Sequence, residues 1–233
     1  WGYRKSTSGS KYLYEMTSTW FEDILIPDGN DYLDIFVGNL LNNPTLDFGT
    51  TGGGYELALF GHYLSSFIDQ NGQTNVKDSK IIQEIWGKFK SDSTSPKAFD
   101  IIQSLLDTQY NMSFTEAWID FMTRNLYNGI YENMDNEFYY YIDQALIEPI
   151  STSPSPLTDF ETFSIAIDLD NESAAIKSFQ LDEGGLFSIN HLSDDYLGRI
   201  SVVSTSDYND LLWSEDMDGL ELTSNSEIHF VYG

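Results

Sequence analysis

The spacing of apolar residues changes once along this chain of 233 residues, and that change constrains its fold more than any other feature. Up to about residue 150, apolar side chains recur every three or four positions, which is the period of a helix packed on one face. After residue 157 they alternate with polar side chains in short runs, as β-strands do. Between the two regions lie two prolines in a serine-rich run, which indicates a linker.

We therefore predict an α+β protein with three segments: an N-terminal helical domain over residues 1–150, a linker over 151–156, and a small antiparallel β-sandwich over 157–233. The predicted helices cover residues 11–25, 32–41, 55–68 and 80–89, with two more beginning after Pro96 and at a capping box that starts at Ser113. The predicted strands cover residues 160–169, 186–189, 199–203 and 228–232.

The charge of the chain excludes some classes of partner. It carries 37 Asp and Glu against 11 Lys and Arg, which gives a net charge of −26. Such a field repels phosphate backbones and anionic lipid surfaces, so we expect neither nucleic acid binding nor membrane insertion. Fifteen Tyr, fifteen Phe and five Trp supply enough apolar surface for folding despite this charge. The acidic, lysine-poor composition suits a secreted or cell-surface protein, in which salt screens the self-repulsion.

The predicted first helix carries a glutamate at the edge of its apolar face. That face consists of Leu13, Met16, Trp20 and Ile24. Glu15 lies beside the apolar face, and Glu22 stacks over Glu15 almost two turns later. Burying a carboxylate against apolar packing is costly unless a metal ion or a donor neutralises it. The pattern therefore indicates either a site around Glu15 or a solvated flank that carries both glutamates.

This helix resembles one from a known enzyme class. Residues 12–23 read Tyr-Leu-Tyr-Glu-Met-Thr-Ser-Thr-Trp-Phe-Glu-Asp. A glutamate in an apolar helix, followed by small residues and then Trp-x-Glu, resembles the third-ligand helix of gluzincin-type zinc metallopeptidases. The similarity extends loosely over residues 1–150 and includes segments 27–33, 55–64 and 113–118. These segments look like the helical half of bacterial secreted metallopeptidases that continue into a β-rich C-terminal region.

The resemblance implies that Glu15 is a zinc ligand. It also implies candidates for orienting that ligand, namely Glu22, Asp23, His62 and Tyr55. Both histidine ligands and the general base would lie in a His-Glu-x-x-His helix upstream of this sequence. A catalytic zinc ion needs three protein ligands beside an open position for water. We therefore expect this chain alone to be catalytically inert, with the upstream part of the same protein and a peptide or protein substrate as its partners.

Other residues give weaker signals. His62, His191 and His229 are too far apart in sequence to form a local metal motif. His62 either lines a cleft or is a buried structural histidine, and the other two receive no role. Acidic turns at residues 168–172 and 215–219 place oxygen ligands at alternate positions, which makes calcium a candidate second cofactor. Neither turn matches the twelve-residue calcium loop, so solvated acidic turns are the alternative.

Three function classes stay open from the sequence. The first is the C-terminal portion of a secreted zinc metallopeptidase. The second is a non-catalytic extracellular binding or adhesion protein, and the third is a subunit of a surface filament or layer. Only the first class requires a His-Glu-x-x-His motif upstream, so the preceding residues would discriminate between them.

Overall fold

A computed structural model describes residues 10–33, 38–46, 48–49, 53–69, 79–91, 97–129, 139–157, 173–181, 185–187, 198–204, 211–214, 220–222 and 226–232. Within these residues the chain has a mixed α+β structure, in which helices precede residue 147 and strands follow residue 154. In this described part, every helix is too short or too polar to cross a lipid bilayer.

The helices occupy the first part of the chain. Those in the described residues are α1 (Lys11–Leu25), α2 (Gly38–Leu41), α3 (Ala58–His62), α4 (Lys80–Ser91), α5 (Ala98–Tyr110) and α6 (Phe114–Asn125). The predicted helix over residues 55–68 is helical throughout, but its hydrogen-bond pattern changes twice. A 3-10 turn (Tyr55–Leu57) precedes α3, and a π-helical turn (Tyr63–Ile68) continues it. A 3-10 turn (Ile142–Leu146) ends the helical part.

Local sequence signals explain where two of these helices begin and end. The prediction for residues 11–25 is confirmed by α1, whose apolar face is buried. At the start of α6, Ser113 Oγ accepts the Glu116 N–H, and the Glu116 carboxylate accepts the Ser113 N–H at 2.6 Å. The predicted capping box is thus confirmed. It satisfies two backbone donors that the first turn of a helix leaves free.

The strands follow in the second part. Those in the described residues are β1 (Ser155–Leu157), β2 (Ala175–Leu181), β3 (Gly185–Phe187), β4 (Gly198–Ser204), β5 (Leu211–Ser214), β6 (Leu220–Leu222) and β7 (Ser226–Tyr232). Five of them form a sheet in the order β1-β2-β7-β4-β5, and β3 pairs with β6 separately. The described pairs are antiparallel except β1–β2, which is parallel. The expectation of a wholly antiparallel arrangement is therefore wrong at this edge, where β1 begins inside the predicted linker.

The five-stranded sheet is covered on both faces along β7. His229 and Val231 point towards the helical part, where α6 packs against β4 and β7. Ile228 and Phe230 alternate with them and therefore lie on the opposite face, yet they are buried too. Side chains on both faces of β7 are therefore shielded from solvent. The two-sheet sandwich itself stays a prediction, and the predicted strand at residues 160–169 lies outside the described residues.

One hydrophobic core joins the helices to the sheet. Ala174 and Val231 belong to the same buried cluster as the apolar faces of the helices. Backbone hydrogen bonds hold the chain before and after β1 as well. Ile150 N–H donates to the Asn125 carbonyl at 3.0 Å, and Ala174 N–H donates to the Pro44 carbonyl at 3.1 Å.

Helix α1 lies at backbone contact distance from the turn that precedes α3. Gly54 has φ of 109°, and a Cβ built on it would lie 2.5 Å from both Cα and O of Tyr12. Gly61 on α3 faces Trp20 in the same way, with a built Cβ 3.2 Å from the Trp20 Cβ. Glycine at residue 54 therefore serves both its left-handed backbone and the close approach of α1.

We expect Gly54→Ala to lower the free energy of unfolding by about 2–5 kcal/mol, because a left-handed alanine and overpacking against Tyr12 both cost energy. Gly87→Ala is the matched control, since Gly87 is exposed on α4 and a Cβ there meets no atom within 4 Å. That control should gain about 0.5–1 kcal/mol of helix stability. Urea denaturation measures both changes, and equal effects of the two substitutions would contradict the close packing.

Candidate functional site

The contact between α1 and the turn before α3 brings two predicted site residues together. Glu15 lies half-buried on α1, and Tyr55 opens the 3-10 turn. The Tyr55 hydroxyl donates a hydrogen bond to the Glu15 carboxylate. This bond and the negative charge of Glu15 raise the pKa of Tyr55 above its usual value, because both oppose loss of the phenol proton. Tyr55 is therefore a protonated donor at neutral pH.

A second contact lies near the C-terminal end of α1. Asp23 Oδ2 is 3.0 Å from His62 Nε2 on α3, and each side chain is only 5% exposed. Asp23 lies eight residues after Glu15, which is about 12 Å along a helix axis. The adjacent Glu22 is exposed. The predicted site residues therefore form two separate pairs, Glu15 with Tyr55 and Asp23 with His62, and Glu22 faces solvent.

Two tyrosines complete the surroundings of His62. The ring of Tyr141 stacks on His62 with centroids 4.3 Å apart, and the Tyr141 hydroxyl lies 2.8 Å from that of Tyr32. Burial raises the pKa of both tyrosines, and the charge of Asp23 raises them further. Both phenols therefore keep their protons. The sequence did not predict this contact. Residues 138–141 are an aromatic run that could not be assigned to one type of secondary structure, and nothing in the run indicated that Tyr141 would pack on His62.

A second carboxylate, that of Asp143 in the 3-10 turn Ile142–Leu146, feels the negative charge of Asp23. Burial and the charge of Asp23 raise the pKa of Asp143 to about 6, and a hydrogen bond from Asn30 partly offsets them. Asn30 lies in the turn that follows α1. We call Asp23, Asn30, His62 and Asp143 the Asp23 cluster. It joins the end of α1 to two segments that are distant in sequence.

Glu56 is a third unusual carboxylate. It follows Tyr55 in the 3-10 turn, it is fully buried, and neither of its oxygens has a hydrogen-bond partner among the described residues. An isolated buried carboxylate is costly, so Glu56 marks a position where a hydrogen-bond donor would stabilise the fold. The preceding glycines fix the backbone here, but no sequence signal distinguished Glu56 from a solvated glutamate.

In the described β part, His229 makes polar contacts with a serine and a glutamate. Ser178 on β2 pairs in register with His229 on β7, and Ser178 Oγ lies 2.8 Å from His229 Nδ1. Glu227, two residues earlier on β7, places a carboxylate oxygen 3.5 Å from His229 Nε2. Ser178 and His229 are buried inside the sheet, so no substrate reaches the hydroxyl. This contact satisfies buried polar groups within the core.

The described residues hold no preformed metal centre of the usual kind. Among them, no three or more His, Cys, Asp or Glu side chains converge to bind an ion. The role of Glu15 as a zinc ligand therefore stays a prediction. His191 and the acidic turns at residues 168–172 and 215–219 lie outside the described residues, so the calcium prediction for those turns also stays open.

Comparison with known proteins adds no identification. The chain matches no protein-family model, and it shows no significant similarity to a curated protein or to a solved structure. A functional proposal must therefore depend on the Glu15–Tyr55 pair, the Asp23 cluster and Glu56.

We expect Glu15→Gln to lower the pKa of Tyr55 towards the usual value for tyrosine, because the substitution removes the charge that disfavours the phenolate. NMR titration of protein labelled at the tyrosine Cζ carbon measures this pKa, and Tyr55→Phe assigns the signal. Glu22→Gln is the matched control, since Glu22 is exposed on the same helix. An unchanged Tyr55 pKa in Glu15→Gln would contradict the contact.

We expect Glu56→Gln to raise the free energy of unfolding by about 1–3 kcal/mol at neutral pH, because an amide is cheaper to bury than an unpaired carboxylate. Glu148→Gln removes the same charge at an exposed position and should change stability by no more than about 0.5 kcal/mol. Chemical denaturation measures both. A marked loss of stability in Glu56→Gln would mean that Glu56 already has a cationic partner in the folded protein.

Proposed function

We propose that this chain is the C-terminal portion of a secreted zinc-dependent metallopeptidase, in which Glu15 is one zinc ligand. The observation that carries the proposal is the half-buried Glu15 carboxylate on α1, which accepts a hydrogen bond from Tyr55. Carboxylates that bind a metal ion are themselves held by hydrogen-bond donors, which fix their orientation. The same contact supports Tyr55 as the residue that positions the ligand.

The three candidate carboxylates of α1 differ in a way that favours Glu15. Glu22 is exposed, so water solvates its carboxylate. Asp23 is buried and lies against His62, which makes it a support for the surrounding helices. Glu15 alone combines partial exposure with a fixed donor, and a metal ligand on an open site requires both properties.

The number of ligands that a catalytic zinc ion needs decides what this chain would contribute to the site. Bound zinc would supply a water of lowered pKa for attack on a peptide bond. This chain would contribute Glu15 as a ligand and Tyr55 as its support, while the two histidine ligands and the general base would come from residues outside this sequence. One carboxylate does not retain a catalytic ion, so the chain by itself would be inert. Residues 157–233, with the predicted sandwich arrangement, would bind substrate or the remainder of the protein.

The test uses a longer protein that contains this chain together with its preceding residues. Glu15→Gln keeps the size of the side chain and removes its charge, so zinc content and turnover of a fluorogenic peptide should fall together by at least about 10–100-fold. Tyr55→Phe should weaken zinc binding by about 10–100-fold, because Glu15 loses the donor that orients it. The stability of the folded protein should change much less. Metal analysis and steady-state kinetics provide the two readouts.

Glu22→Gln is the control for that experiment, because it makes the same change on the exposed side of α1 and should leave zinc content and turnover unaffected. Full zinc occupancy with unchanged turnover in Glu15→Gln would remove Glu15 from the site. That result would favour one of the two alternatives, a non-catalytic extracellular binding protein or a surface-assembly subunit.

A further inference from the structure

Basic residues are concentrated in two stretches of this acidic chain. Residues 1–11 and 77–100 together hold eight of the eleven Lys and Arg but only four of the 37 Asp and Glu, which gives these stretches a net charge of +4. The remaining 198 residues hold three bases and 33 acids, a net charge of −30. The charge is therefore distributed unevenly along the sequence.

The structure brings the described parts of these two stretches to one end of α1. The Ala98 N–H, at the start of α5, donates to Ser10 Oγ, just before α1, at 3.0 Å. The rings of Tyr14 on α1 and Trp86 on α4 lie 5.1 Å apart, so the last turns of α4 reach the same place. Asp100, in the first turn of α5, offsets part of the positive charge. Three exposed lysines lie here, and we call them the basic end of α1: Lys11, Lys88 and Lys97.

The opposite end of α1 combines acidic and apolar side chains on its surface. Leu25 is 63% exposed and Ile26 is 57% exposed. These two neighbours give this end apolar area that a contact could bury. Exposed carboxylates flank them in sequence, and we call the whole set the acidic end of α1: Glu22, Leu25, Ile26, Asp28 and Asp31.

The two ends cannot neutralise each other within one molecule. Helix α1 has 15 residues, so its ends lie about 21 Å apart. The Debye length at physiological ionic strength is about 8 Å, so each end interacts mainly with charges that come into direct contact with it. The same screening removes most of the repulsion between distant acidic residues of two copies. The basic end and the acidic end are therefore complementary only between molecules.

We propose that copies of this chain associate head to tail, with the basic end of α1 in one copy bound to the acidic end of α1 in the next. A second copy supplies carboxylates for the lysines and also covers Leu25 and Ile26, which a polyanion would leave exposed. The two surfaces differ, so the contact is heterologous and produces chains of molecules instead of a closed dimer. This association is independent of the proposed zinc ligand, because Glu15 belongs to neither end.

Sedimentation velocity of this chain in about 0.15 M NaCl, at protein concentrations from about 10 μM to 1 mM, measures the association. The weight-average mass should rise with concentration and pass the dimer without a plateau. Lys97→Glu should weaken association by about 10-fold or more, because it brings like charges into contact. Lys177→Glu is the matched control, since Lys177 is exposed on β2 and the same charge change there should leave association unaffected.

A charge exchange between two variants separates a direct contact from an effect on folding. Glu22→Lys should weaken association as Lys97→Glu does. A mixture of the two variants should restore it, because the unaltered acidic end of Lys97→Glu meets the unaltered basic end of Glu22→Lys. Both positions are exposed, so circular dichroism should show unchanged secondary structure. Lys11→Glu repeats the test at the basic end should Lys97→Glu fail to fold.

Four results would overturn the proposal. The first is a constant monomer mass over the whole concentration range. The second is a mass that stops at the dimer, which would indicate a two-fold contact. The third is an equal loss of association in Lys97→Glu and Lys177→Glu, which would reflect net charge alone. The fourth is a monomer that binds phosphatidylserine vesicles or a DNA duplex through Lys97, which would assign the basic end to a polyanion.

Discussion

The close approach between α1 and the Gly54 turn is the contact on which the remaining structure depends. It leaves no room for a side chain at residue 54, because a Cβ there would meet the Tyr12 backbone at 2.5 Å. Once α1 and α3 lie this close, Trp20 Nε1 reaches Ser65 Oγ at 2.9 Å across the interface. The same approach places Glu15 against Tyr55 and Asp23 against His62, so the candidate site follows from the packing of two backbones.

Buried polar groups fall into two kinds in the described part of this molecule, those with hydrogen-bond partners and those without. On α6, Asp120 and Asn125 are satisfied: Tyr63 and Arg124 both donate to Asp120, and Tyr140 donates to Asn125. Such networks hold a single arrangement of the core. Among the described residues, Trp118 Nε1, both oxygens of Glu56 and three oxygens of the Asp23 cluster have no hydrogen-bond partner. An unsatisfied buried acceptor costs stability, so Glu56 and the Asp23 cluster are positions where an added donor would stabilise the fold.

Sequence reasoning succeeded where the determining forces are local. The apolar period defined α1, and the capping residues defined the start of α6, because both depend on neighbours within one or two turns. It failed for β2 (Ala175–Leu181), whose buried residues face two different layers and so lack a clear alternation of apolar and polar side chains. The pairs Glu15–Tyr55 and Asp23–His62 join residues about forty positions apart, and their contacts depend on the glycine turn. The sequence also did not predict the parallel pairing of β1 with β2, because strand partners are set by tertiary structure.

A chain with 37 acidic residues offers many carboxylates to any motif search, so residue type alone carries little information about function. The environment of each carboxylate carries more information about its role. Glu22 and Asp31 are exposed and solvated, whereas Asp120 is neutralised by Arg124 at 2.8 Å. Glu15 is half-buried and accepts a hydrogen bond from Tyr55. Asp143 sits between these cases, because burial and the charge of Asp23 oppose its ionisation and a hydrogen bond from Asn30 favours it. The carboxylates of this chain are thus solvated, ion-paired or partly buried according to which donors the fold places around them.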